Sequence, residues 1–117
     1  MTQSKQRFPR IPITVRVQYD YAGSYLFGMS ENVSRGGIFI RTDRPLPIGA
    51  KMSIQFSIPT SPQIIHAEGR VIWMTEQSDA EVKGQVGGMG IEFLKLGNRE
   101  QEDLLKAHIE KEQTKRF

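Results

Sequence analysis

Two short segments hold the residues best suited to recognition chemistry. In Glu31-Asn32-Val33-Ser34-Arg35-Gly36-Gly37-Ile38-Phe39-Ile40 a polar, glycine-paired turn sits directly before an apolar run. Asn32 offers a side-chain carbonyl and amide, able to meet donors and acceptors on a base edge, and Ser34 adds a hydroxyl two residues on. Gly36 and Gly37 let the backbone bend and approach a ligand closely. Near the N-terminus, Arg7 and Arg10 supply planar guanidinium forks, suited to phosphate oxygens and to the O6/N7 edge of guanine. Together these are parts for a compact anionic guanine ligand. The turn also admits a purely structural reading, in which Asn32 and Ser34 form an Asx-type turn into a strand.

Catalytic constellations are missing from the sequence. His66 and His108 are isolated from each other, and the chain has no cysteine. Ser34 has no histidine at a suggestive spacing, and Glu68 has no carboxylate partner beside it. Neither a P-loop nor a Rossmann fingerprint is present. Gly87-Gly88-Met89-Gly90 leads into a strand, where glycine serves a tight turn or bulge. The sequence reads as a binding module and not as an enzyme, with no metal site and no cofactor.

The elements that must hold these residues are mostly strands. Ile11, Ile13, Val15, Val17 and Tyr19 alternate with polar residues and Pro12, as do Met52, Ile54, Phe56 and Ile58. Ile65, Ala67, Gly69, Val71 and Trp73 repeat the pattern, which predicts a core position for Trp73. Met89, Ile91 and Phe93 give a shorter version, and Tyr25 to Ser30 and Ile38 to Arg41 are rich in strand formers. About six strands separated by Gly/Pro/Ser turns predict an antiparallel sandwich or small barrel. At the C-terminus, Asn98 and Gln101 have capping-box spacing, and Leu104, Leu105, His108 and Ile109 share one helical face. His108 reads as a packed or rim histidine.

With 117 residues, 38% hydrophobic and 25% charged, the chain suits one folded domain and not a disordered segment. A flexible basic arm is expected over residues 1–10, then a β domain over 11–117 with its helix at about 98–113. No apolar run approaches the roughly 20 residues of a membrane span, so no membrane insertion is expected. The N-terminus lacks the apolar core of a secretory signal, and the absence of cysteine fits a reducing cytoplasm. Asn32-Val33-Ser34 matches a glycosylation sequon, a reading that lapses without that signal. The net charge is only +3, but Lys5, Arg7, Arg10 and Arg16 all precede the first acid, Asp20. Such an arm suits an anionic partner. Single-stranded nucleic acid is one such partner; against it, the aromatics mostly fall at alternating apolar positions, so neither DNA nor RNA is expected.

Taken together, Gln6-Arg7-Phe8-Pro9-Arg10-Ile11-Pro12 and the later Asn32-x-Ser34-x-x-Gly37 resemble the PilZ domain family. Its members carry an N-terminal Arg-x-x-x-Arg element and an Asp/Asn-x-Ser-x-x-Gly element. Arg41 to Gly49, Gly69-Arg70-Val71-Ile72-Trp73 and Gly88-Met89-Gly90-Ile91-Glu92-Phe93 extend the likeness along nearly the whole chain. The resemblance implies a six-stranded antiparallel, split β-barrel with a C-terminal helix that binds the bacterial second messenger cyclic di-GMP. It also implies that Arg10, Asn32, Ser34 and Gly37 hold the ligand, with Arg7 matching a further arginine. Arg35, Gly36 and Trp73 are further candidates, the last as an aromatic that stacks on guanine at the pocket mouth. With no effector domain in the chain, output would pass through an altered contact with a downstream protein in motility, adhesion or exopolysaccharide control. One position departs: Gln6 stands where the family has its first arginine. Losing a charge-assisted contact costs about 1.5–3 kcal/mol, roughly tenfold to over a hundredfold in affinity. The alternative implied is a PilZ adaptor that binds no nucleotide and acts through protein contacts alone.

Overall fold

Alternating apolar residues place one face of most strands inside, and the sheet built from them closes on itself. The computed structural model describes residues 8–76, 84 and 87–115. It contains β1 (Ile11–Pro12), β2 (Arg16–Tyr21), β3 (Ser24–Val33), β4 (Gly37–Arg41), β5 (Lys51–Ser57), β6 (Ile64–Thr75) and β7 (Gly88–Leu96). Among the described residues one helix, α1 (Arg99–Thr114), follows. All pairings are antiparallel, in the ring β3-β2-β5-β6-β7-β4, which the β4–β3 pairing closes. The molecule is a closed six-stranded antiparallel barrel with one C-terminal helix, and β1 is a two-residue addition to β3.

The interior is lined by Val17, Tyr19, Ile38, Ile40, Ile54, Ile65, Val71, Met89 and Ile91, all buried. Helix α1 packs on β1, β6 and β7. Leu105 and Ile109 are fully buried, each worth about 1.5–3 kcal/mol of apolar burial. Asn98 caps the helix, its Oδ1 accepting from Gln101 N–H at 2.9 Å. The reciprocal half of the expected capping box does not form: Gln101 Oε1 accepts from His66 N–H at 2.8 Å, tying the helix start to β6 instead.

Two breaks in register depart from the simple alternation. The run Ile11–Tyr19 is one strand by pattern, but Ile11 lies opposite Val33 while Arg16 lies opposite Met29, one residue out of step. The fully buried Ser30 fills the gap. Its hydroxyl accepts from Val15 N–H at 2.9 Å and donates to Ile13 C=O at 2.6 Å, replacing the lost ladder bonds. The second break corrects the core position expected for Trp73. A bulge between Val71 and Trp73 inserts Ile72, so the parity that buries Ile65, Ala67 and Val71 turns Trp73 outward, 48% exposed.

Gly37 opens β4 where that strand lies closest to β7. Its φ is not positive, so backbone conformation does not require glycine there. A Cβ at this position would run into the carbonyl oxygen of Ile91 on β7. Gly37→Ala is therefore expected to lower stability by about 1–3 kcal/mol, as overpacking does, read by urea unfolding. His108 lies at the seam between helix and barrel, 6% exposed, with Nδ1 3.4 Å from the Thr60 hydroxyl. Burial pulls its pKa below the usual 6.5, against a smaller upward pull from Glu112 and with smaller downward ones from Lys111 and Lys115. A depressed folded-state pKa gives stability that is present above the unfolded value and is lost as pH falls through the folded one. The Tm is expected to drop as pH falls from about 7.5 through the usual imidazole value of about 6.5, before most carboxylates titrate, and to drop less in His108→Gln.

Candidate functional site

The turn joining β3 to β4 is built by Ser34 and Gly36. Ser34 N–H donates to Gly37 C=O at 2.8 Å, and Gly36 N–H donates to Ser34 Oγ at 3.1 Å. Ser34 is buried, so its hydroxyl serves the turn itself. Gly36 C=O accepts from Phe93 N–H at 2.8 Å, which pins the turn to β7.

Asn32 behaves differently. Its Oδ1 accepts from Arg10 Nη1 at 2.6 Å, across 22 residues of sequence, and no Asx-turn forms at this position. The two segments singled out by chemistry thus meet in space, because β1 lays Pro12 opposite Asn32 and brings Arg10 past it. Among the described residues the ion pairs are Arg70–Glu92, Arg99–Asp103 and Lys115–Glu112, and no carboxylate answers Arg10. Partial covering of its guanidinium pulls its pKa below the usual value through desolvation, and it stays protonated. A guanidinium that meets only a neutral amide among the described residues can donate a charge-assisted hydrogen bond to an anion.

Register carries the site across the outer surface. Asn32 lies opposite Phe39, Phe39 opposite Gly90, and Gly90 opposite Trp73, so these residues form one outward-facing row. Phe39 and Trp73 contact each other with ring centroids 5.6 Å apart and planes tilted by 57°. Trp73 stands three strands from Asn32, about 14 Å along the sheet at about 4.8 Å per strand. Phe39 is the nearer aromatic. Beside the turn, Gly37 lies opposite Glu92, and Glu92 bonds Arg70 at 2.9 Å, which puts another guanidinium on this face. A fork, an amide and an aromatic pair on one surface are suited to a flat heterocycle that carries an anion.

Of the residues expected from sequence, Arg10 and Asn32 are hydrogen-bonded, and Ser34, Arg35, Gly36 and Gly37 make the turn and strand start beside them. Gln6 and Arg7 lie outside the described residues. Trp73 joins the face at its far side. Phe39 and Arg70 went unnoticed as site residues, although each carries a parity signal. Ile38 and Ile40 point inward on either side of Phe39, and Arg70 alternates with buried Gly69 and Val71. Phe8 was missed too, and its half-buried ring lies against the turn at Gly36. The aromatics are also less uniformly internal than alternation suggests, since Tyr25, Phe27 and Trp73 are all exposed. An open groove of about 620 Å³ runs past Arg16, Phe27, Gln55 and Ile64 and includes none of the motif residues.

Comparison with known proteins accords with this arrangement. The inhibitor of motility MotI/DgrA of Bacillus subtilis superposes with a TM-score of 0.76 at 19% identity, covering 98% of this chain and 55% of that one. The chain thus spans little more than half the length of that protein. The PilZ domain of YcgR from Escherichia coli, solved with c-di-GMP, gives a TM-score of 0.66 at 19% identity over 96% of this chain and 94% of that one. The PilZ domain of CeSA from a cellulose-synthesizing bacterium gives 0.60 at 21% identity over 85% and 96%. At these identities the likeness is one of fold. No curated protein matches by sequence closely enough to count as a relative. The PilZ domain family matches residues 4–111, from the basic arm into the C-terminal helix, and the chain belongs to that family.

Proposed function

We propose that this chain is a receptor for cyclic di-GMP and signals through an altered contact with a downstream protein. The observation that carries the reading is the 2.6 Å bond between Arg10 and Asn32, which joins the family's two motifs around a cation with no carboxylate partner among the described residues. In this reading Arg7 and Arg10 take phosphate or guanine O6/N7, and Asn32 reads a base edge. Ser34 and Gly37 act by shaping the turn, with Arg35 and Gly36 beside the ligand and Phe39 with Trp73 as the aromatic wall. PilZ domains form a receptor and adaptor family, not a known enzyme family, which fits a binding role. The fold shared with a motility inhibitor and with a domain solved with c-di-GMP supports the same direction. A cytoplasmic location suits a ligand of this kind. No metal or cofactor takes part.

Calorimetric titration tests the proposal: cyclic di-GMP should bind in preference to GMP, cyclic di-AMP and a single-stranded oligonucleotide. The absence of heat at about 100 μM cyclic di-GMP sinks it and leaves the nucleotide-free adaptor, with Gln6 as the reason. Arg10→Ala should weaken binding by about 1.5–3 kcal/mol, as loss of a charged hydrogen-bonding group does. Asn32→Ala should weaken binding with the Tm unchanged, whereas Ser34→Ala should lower the Tm because Gly36 N–H loses its acceptor.

Gln6→Arg restores a guanidinium where the family pattern has one. Affinity should rise by roughly 1–3 kcal/mol, less the entropy of fixing a long side chain, and the gain should shrink as salt rises. An unchanged affinity in a tightly binding parent assigns that role to Lys5 or Arg7.

A further inference from the structure

Phe8 to Arg10 do not approach the turn as a free segment. Phe8 is half-buried, and the Cδ2–Cε2 side of its ring lies against Gly36: a Cβ there would fall 2.8 Å from Phe8 Cδ2 and 3.2 Å from Cε2. Gly36 has no positive φ, so the bare Cα serves the ring and not the backbone conformation. The seat is rigid, because Ser34 Oγ and Phe93 N–H hold the two polar groups of Gly36. From the adjoining position the Arg35 guanidinium stands 5.3 Å from the ring centroid, within cation–π range. Two residues later Arg10 reaches Asn32, and Ile11 then enters the barrel wall opposite Val33. The segment from Phe8 to Ile11 is therefore held at three successive points.

We propose that Phe8 is the positioning residue of the site. Its ring, seated on Gly36 under Arg35, docks the arm on the turn before any ligand arrives and fixes the point from which Arg7 and Gln6 depart. Phe8 touches no ligand in this role. It sets the fraction of chains in which Arg10 already meets Asn32. The docking stands by itself, while its effect on affinity rests on the nucleotide reading above. If undocking leaves about one chain in ten competent, apparent affinity falls about tenfold, since it scales with the competent fraction.

Limited trypsin digestion of the ligand-free full chain reads the docking directly, through cleavage after Arg10. Phe8→Ala and Gly36→Ala should each speed that cleavage by about tenfold, the double variant no further, and Phe8→Tyr should restore the parental rate. Gly36→Ala leaves the arm sequence intact, so its effect reports undocking and not a change in the protease site. Phe8→Ala removes nothing from the core, so its Tm should fall by no more than the few degrees that a tenfold loss of docking accounts for. Cyclic di-GMP affinity should fall in the same two variants by a similar factor. Cleavage unchanged in Phe8→Ala overturns the docking, and faster cleavage with unchanged affinity overturns the positioning role. Faster cleavage in a chain whose parent binds no nucleotide upholds the docking and overturns only the nucleotide reading.

Discussion

The ring of strands closes only because β4 lies against β3 on one side and β7 on the other, and at Gly37 the β4–β7 contact has no room for a side chain. That steric constraint organises the site. It holds the end of β4 against Ile91, which fixes the turn at Ser34–Gly36 over Phe93. The same closure aligns Asn32, Phe39, Gly90 and Trp73 in one row, although they come from four separate strands. The barrel wall is thus stability element and frame of the candidate site at once. Its inner face is a continuous apolar core, and its outer face is free to carry a guanidinium, an amide and two aromatic rings.

Within the motif turn the polar residues divide between two tasks. Ser34 spends its hydroxyl on Gly36 N–H and is buried, so it maintains shape. Asn32 turns its carbonyl outward to Arg10, so it links the barrel to the arm. From sequence the two looked alike, as partners in one turn or in one ligand contact. What separates them is register: β1 runs opposite Asn32 and leaves Ser34 facing only its own loop.

Much of the fold was legible because a strand with one buried face must repeat every two residues. Val17 and Tyr19, Ile54 and Phe56, and Ile65 and Ala67 obey that rule and are buried. The rule fails where an extra residue resets the parity. Neither Ile72 nor the Ser30 region signals a bulge locally, since a bulge is a relation between two strands and not a property of one. Trp73 was misplaced for that reason. Gln101 was misread similarly, because the competing partner, His66 N–H, is 35 residues away. At the site, Arg10 and Asn32 were picked out by residue type and family resemblance. Phe8, Phe39 and Arg70 are apolar or basic residues of ordinary kind, and only long-range packing brings them to this face.

Each of the six barrel strands is hydrogen-bonded to a neighbour on both sides. The elements that touch the turn from outside, Phe8 and Arg10, do so through side chains and not through the ladder. Contacts of this kind can form and part without uncovering a row of unpaired peptide groups. Closure of the ring leaves no barrel strand as a whole free edge, the feature that templates edge-to-edge aggregation.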